Sequence, residues 1–229
     1  MSRRRNSHRD PLEHNPASGF KPNKLVTRND NQLKLREALL SKDIILCTGP
    51  PGTGKTHVAT AVGVQLLKNE KIDKLAITRP TVDTGSSIGF LPGSMLEKVS
   101  PYLRPLFDEI SYYINTKHLN TLIENEVVEI VPLCMMRGRT FVNTYVILDE
   151  AQNATFDELK MFLTRIGPGS TLVLTGDLLQ SDLPKCLQGA FQNCVNKISD
   201  IDGVGLVRFG RSDIVRHKII ADIEDRLNG

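Results

Sequence analysis

Eight consecutive residues, Gly49-Pro50-Pro51-Gly52-Thr53-Gly54-Lys55-Thr56, carry the pattern G-x-x-x-x-G-K-[ST], whose chemistry is the holding of a polyphosphate. Glycines let successive backbone N–H groups turn toward one point, and the positive end of a following helix favours an anion there. Lys55 supplies charge for the β- and γ-phosphates, and the Thr56 hydroxyl is a ligand for Mg²⁺. The context agrees. Asp43-Ile44-Ile45-Leu46-Cys47 reads as a buried strand before the loop, and Val58, Ala61, Val62 and Leu66 recur at helical spacing after it. His57, the first residue past the pattern, joins the eight loop residues as a candidate nucleotide contact.

A second constellation follows about 95 residues later, where Tyr145-Val146-Ile147-Leu148 runs into Asp149-Glu150-Ala151-Gln152. Four apolar residues ending in two acids describe a central parallel strand that delivers carboxylates at its carboxyl end, where open α/β sheets bind ligands. Asp149 is assigned to Mg²⁺ through water, and Glu150 to polarising an attacking water. The third signal is Thr171-Leu172-Val173-Leu174-Thr175-Gly176-Asp177, another apolar strand, with Gln180 just beyond it. That amide is within reach of a γ-phosphate or its water; the alternative is an ordinary polar loop.

Together these residues resemble the PhoH family, ATP-binding proteins whose core is similar to the first motor domain of superfamily 1 helicases. The resemblance rests on the loop Gly49 to Thr56, Arg79-Pro80, Gly89-Phe90-Leu91-Pro92-Gly93, Pro101-Tyr102-Leu103-Arg104-Pro105, Met136-Arg137-Gly138-Arg139-Thr140, Asp149-Glu150-Ala151-Gln152-Asn153, Thr175-Gly176-Asp177 with Gln180, and Asp213-Ile214-Val215-Arg216-His217. It covers residues 25 to 228 in the family's order. Pro51 and Ser94 depart from the usual residues, the first at a free position of the loop.

The resemblance implies a single RecA-like α/β domain, a mostly parallel sheet with helices on both faces, using ATP and Mg²⁺. It implies that Gln32, about 20 residues before the loop, reads the adenine edge, although Asn29, Asp30 or Asn31 equally reads as the cap of a helix through Leu39 or Leu40. Arg216 is the preferred arginine against the γ-phosphate, on a helix from Ile214 to Leu227, with Arg137 and Arg139 as runners-up that could instead contact RNA or a neighbouring subunit. Arg79 is placed on a nucleic-acid face by analogy with helicases; capping a strand end is the other reading. The implied activity is ATP hydrolysis coupled to single-stranded RNA, with DNA as a second possibility. A protein that uses ATP as a conformational ligand is the rival reading. One motor domain in place of two points to a homo-oligomer, a closed hexameric ring as the resemblance suggests. No nuclease chemistry is indicated, which leaves a nuclease as a candidate partner.

Composition sets the frame. A chain of 229 residues with 40% hydrophobic and 24% charged residues suits one large α/β domain. No apolar run approaches the roughly 18 residues of a membrane span and no signal peptide is evident, so the expectation is a cytoplasmic protein without membrane contact. Cys47, Cys134, Cys186 and Cys194 lack metal-ligand spacing and are expected to be reduced thiols. Residues 1–28 hold seven basic and two acidic residues, a net +5 in a chain of +3, leaving −2 for the rest. Pro11, Pro16 and Pro22 predict a flexible basic tail over 1–22, suited to nucleic-acid phosphates or to solubility alone, followed by the ATPase domain over 23–229. Strands are expected near 43–47, 74–78, 127–132, 144–148, 171–175 and 204–208, with 79–105 as a long functional loop leading into a helix near 102–115.

Overall fold

The computed structural model describes residues 20–81 and 95–215, together with Arg226. In chain order the elements are α1 (Asp30–Ser41), β1 (Ile44–Thr48), α2 (Lys55–Lys68), β2 (Lys74–Arg79), α3 (Met95–Tyr113), α4 (Thr116–Glu124), β3 (Val128–Pro132), β4 (Thr144–Leu148), α5 (Phe156–Leu163), β5 (Thr171–Gly176), α6 (Ala190–Ile198) and β6 (Val204–Arg208). Every expected strand is present within a residue. All pairings are parallel, in the order β3-β2-β4-β5-β1-β6.

Alternation of side chains sorts the core into two layers. Ile45, Cys47, Leu75, Ile77, Tyr145, Ile147 and Val173 face one side with α1, α2, α3 and α4. Leu46, Ala76, Val146, Leu148, Leu172 and Leu174 face the other, against α5 and α6. Near-continuous apolar strands are therefore the signature of a sheet covered on both faces. Helix α2 lies close on the sheet because Gly63 has no side chain: a Cβ there would stand 2.8 Å from Leu75 and 2.9 Å from Tyr145. The Tyr145 hydroxyl, also buried, donates to the Ala59 carbonyl at 3.1 Å.

Two expectations are corrected. The helix after the 79–105 loop begins at Met95 rather than near residue 102, and a separate helix, α4, follows it. Pro101 and Pro105 read as breakers, yet both lie exposed on one face of α3, and the helix runs through them. Leu103, Leu106 and Ile110 hold the opposite face in the core. The second correction concerns the tail. Phe20 is buried in the core, against His118 at 5.1 Å and with the Lys68 ammonium 5.6 Å from its ring, so packing begins before Pro22. Residues 1–19 lie outside the described residues, as do 82–94 with the Gly89–Gly93 motif.

Candidate nucleotide site

The phosphate loop leaves the end of β1 and opens α2. Gly54 is the N-cap at φ 84, a left-handed conformation open to glycine without strain, and no side chain caps the helix. The first helical hydrogen bond runs from the Val58 N–H to the Gly54 carbonyl at 2.9 Å. The preceding N–H groups thus remain available to an anion. Gly49, at φ 145, is squeezed by the exit of β6: a Cβ there would meet Phe209 at 2.6 Å. Thr53 is buried and its hydroxyl donates to the Pro50 carbonyl at 3.0 Å, closing the loop on itself.

Lys55 is mostly buried and its ammonium donates to the carbonyls of Gly49 and Pro50 at 2.7 and 2.8 Å. Burial lowers its pKa, opposed by the charges of Asp177, Glu150 and Asp149 and by Cys47. Burial pushes the Cys47 thiol up to about 12, so at neutral pH it is uncharged and the three carboxylates supply the compensation.

Thr56 and Asp149 meet across the sheet. The Thr56 hydroxyl donates to Asp149 Oδ1 at 2.6 Å, and the Thr175 hydroxyl donates to the same oxygen at 2.8 Å. Burial raises the Asp149 pKa and the neighbouring Glu150 charge adds to it, against the two hydroxyls and Arg79. These hydroxyl and carboxylate oxygens fit a hard cation. Among the described residues no group of three or more His, Cys, Asp or Glu could hold a metal. A Mg²⁺ ion, which takes few protein ligands, would be held here by the Thr56 hydroxyl and the Asp149 carboxylate.

Glu150 follows in a left-handed conformation at φ 55. For a residue with a Cβ that geometry costs on the order of 1–2 kcal/mol. It turns the carboxylate back into a cavity of about 270 Å³ lined by the loop, His57, Glu109, Asp149, Gln152, Asp177 and Gln180. Gln180 is exposed at its rim.

The remaining candidates fall in several places. Gln32 is buried and absent from the cavity wall; its Nε2 donates to the Thr53 carbonyl at 2.9 Å and its Oε1 accepts the Arg28 N–H at 2.8 Å. Each half of the amide makes one contact with the chain, which props the loop, and keeps one further N–H and one lone pair beyond it. Asn29 proves to be the cap of α1, accepting the Gln32 N–H at 2.8 Å. Arg79 pairs with Glu150 at 2.8 Å and lies 3.9 Å from Asp149. Arg139 forms a two-pronged pair with Glu129 at 2.6 and 2.9 Å, away from the cavity, while Arg137 is exposed. Burial alone would raise the Glu129 pKa, but hydrogen bonds and charge from Arg139 and Lys74 outweigh it and hold it low. Arg216 lies outside the described residues; the residue before it, Val215, donates to the Gly52 carbonyl at 3.0 Å.

Sequence reasoning missed three participants. Glu109 of α3 contacts His57 Nδ1 at 2.9 Å, and the Tyr113 hydroxyl lies 2.8 Å from Nε2. Thr175 belongs to the Thr175-Gly176-Asp177 motif, but its bond to Asp149 is not legible in the sequence. No spacing pattern could reveal Glu109, whereas Thr175 follows once β5 is known to lie beside β4.

One strand, β5, separates the strand that ends in the phosphate loop from the strand that ends in the two acids. That insertion, with the acids facing Lys55 and Thr56, places the chain among P-loop nucleoside triphosphatase domains of the RecA-like type. The profile of the PhoH family, described as "PhoH-like protein", matches residues 24–228, and the chain belongs to that family. It is 46% identical to a PhoH-like protein of Bacillus subtilis over 81% of this chain and 58% of that one. To Protein PhoH of Escherichia coli it is 39% identical over 84% of this chain and 55% of that one. The chain thus spans little more than half the length of these relatives. Similar solved structures include the Pif1 helicase of Candida albicans, 18% identical over 89% of this chain and 44% of that chain, with a TM-score of 0.44. Another is the SWI2/SNF2 ATPase core of Sulfolobus solfataricus in complex with dsDNA, 15% identical over 82% and 45%, with a TM-score of 0.47. Scores of that size add nothing to the assignment. No helix among the described residues is long and apolar enough to cross a membrane.

Proposed function

We propose that this chain is a Mg²⁺-dependent ATPase whose turnover is coupled to single-stranded RNA. The observation that carries the hydrolytic reading is the convergence of Lys55, Thr56, Asp149 and Glu150 on one cavity, with Thr56 and Asp149 joined at 2.6 Å. Glu150 accepts the proton of the attacking water as its oxygen bonds to the γ-phosphorus and the bond to the β-phosphate oxygen breaks, leaving ADP and phosphate. Lys55 stays on the phosphate oxygens and Gln180 orients the water, while Thr56 and Asp149 would hold a Mg²⁺ ion that would supply further screening of the developing charge. Arg79, Tyr102 and the basic residues of the first 28 positions supply the phosphate and stacking contacts that an unpaired polymer uses.

Glu150→Gln is expected to bind ATP as the wild type does and to hydrolyse it at least about a hundredfold more slowly, the size of a general-base contribution. Unchanged turnover removes Glu150 from this role. A second reading, a protein that binds ATP as a conformational ligand, is favoured by one observation: both Glu150 oxygens are tied to side chains of the protein. Wild-type turnover no greater than that of Lys55→Ala selects it.

A further inference from the structure

Glu150 is held from both sides. Its Oε1 accepts from Arg79 Nη2 at 2.8 Å and its Oε2 from Gln152 Nε2 at 2.6 Å. Gln152 is itself anchored, since its Oε1 accepts the Asp177 N–H at 3.0 Å. The Arg79 contact follows from the sheet: Thr78 pairs with Leu148, and the Asp149 N–H donates to the Thr78 carbonyl at 2.9 Å. Arg79, one residue past Thr78, then meets Glu150, two residues past Leu148, across the strand ends.

Arg79 also faces a second cavity. About 440 Å³ in volume, it is lined by Arg79, Pro80, Tyr102, Asn153, Ser181 and Asp182 and shares Glu150, Gln152 and Gln180 with the nucleotide cavity. Asp182, which accepts from Asn153 at 2.8 Å, and Glu150 place two carboxylates on this wall, and among the described residues that line it Arg79 is the one cation. Its side chain is 25% exposed, accessible to an anion from that side. A guanidinium binds phosphate in a planar fork, and the Tyr102 ring on the same wall offers a face for a base.

We propose that Arg79 is a latch on the general base: it occupies one oxygen of the Glu150 carboxylate until the phosphodiester of a single-stranded nucleic acid draws the guanidinium into the second cavity. This rests on the ATPase reading and adds to it a means of coupling. Arg79 is a positioning residue in this scheme, acting only through Glu150. The two ligands then share one cation, and occupancy of the second cavity changes the aim of the base in the first.

The test measures ATP turnover of the wild type, Arg79→Gln and Arg79→Lys, alone and with oligouridylate or oligothymidylate, alongside fluorescent ATP binding. Without polymer, Arg79→Gln is expected to turn over about fivefold faster than the wild type or more, the low end of ordinary coupling between sites. Its ratio of stimulated to unstimulated rate falls toward one with ATP affinity unchanged, and Arg79→Lys restores a low unstimulated rate. Arg79→Gln that binds ATP but is no faster than wild type overturns the latch. Should it lose ATP binding, Arg79→Met is read in its place by the same criterion: an unstimulated rate above wild type supports the latch, and equality overturns it. Wild type and Arg79→Gln both at the level of Lys55→Ala would instead overturn the ATPase reading. A faster Arg79→Gln with a wild type indifferent to both polymers keeps the latch and overturns phosphodiester as its ligand; stimulation by only one polymer assigns RNA or DNA.

Discussion

Asp149 shows what a buried carboxylate contributes before any cation reaches it. Its pKa is raised by burial first and by Glu150 second, so the folded state holds its proton more tightly than the unfolded chain does. The sign follows: its favourable contribution to stability is complete below the ordinary carboxylate range, about pH 4, and is lost as pH rises through the higher folded value. Asp149→Asn keeps an oxygen for Thr56 and Thr175 without that penalty. Without Mg²⁺, the variant is expected to unfold in urea at the wild-type midpoint or above it at pH 7.5, with the difference shrinking at acid pH. A deficit of equal size at both pH values would contradict the account. ATP turnover is lost with the carboxylate, so stability and activity move in opposite directions.

At the scale of elements, the phosphate loop is shaped by its neighbours as much as by its glycines. Helix α1 sends Gln32 beneath it, and a Cβ on Gly54 would stand 2.7 Å from that amide. Gln32→Ala leaves the Thr53 carbonyl and Arg28 N–H without their partner, a loss of about 1–3 kcal/mol by the usual cost of a buried polar group left unsatisfied. Weaker ATP binding should accompany the lower unfolding midpoint, read by denaturation and nucleotide titration on the same sample. Full stability with only a loss of preference for ATP over GTP would return Gln32 to the adenine-reading role. Spacing placed Gln32 near the loop but could not say which way its amide points. The same limit hid the Arg79–Glu150 pair, since register between β2 and β4 is invisible until the strand order is known. Helix α3 was misjudged for a different reason: its prolines are local signals, whereas Leu103, Leu106 and Ile110 are buried by tertiary packing that outweighs them.

For the whole molecule, the apolar strands and their alternation with helices are enough to fix a parallel sheet with helices on both faces. Strand order, cavity walls and the paired state of each arginine required the structure. Oligomeric assembly is argued at this scale too. We propose that copies of this domain associate in a closed ring, as symmetric homo-oligomers commonly do. Light scattering with ATP and Mg²⁺ is expected to give a mass several times the 25.5 kDa of one chain, and a monomer mass would exclude the ring.

The strand that launches the phosphate loop has one further consequence. β1 lies between β5 and β6, both made more than a hundred residues later, and the loop it feeds is fastened by Phe209 and Val215. On a ribosome adding about 5–20 residues per second, the residues of the loop wait on the order of ten to thirty seconds for their last supports. The ATP site is thus among the last parts of the domain to form during synthesis, although its defining residues emerge within the first quarter of the chain.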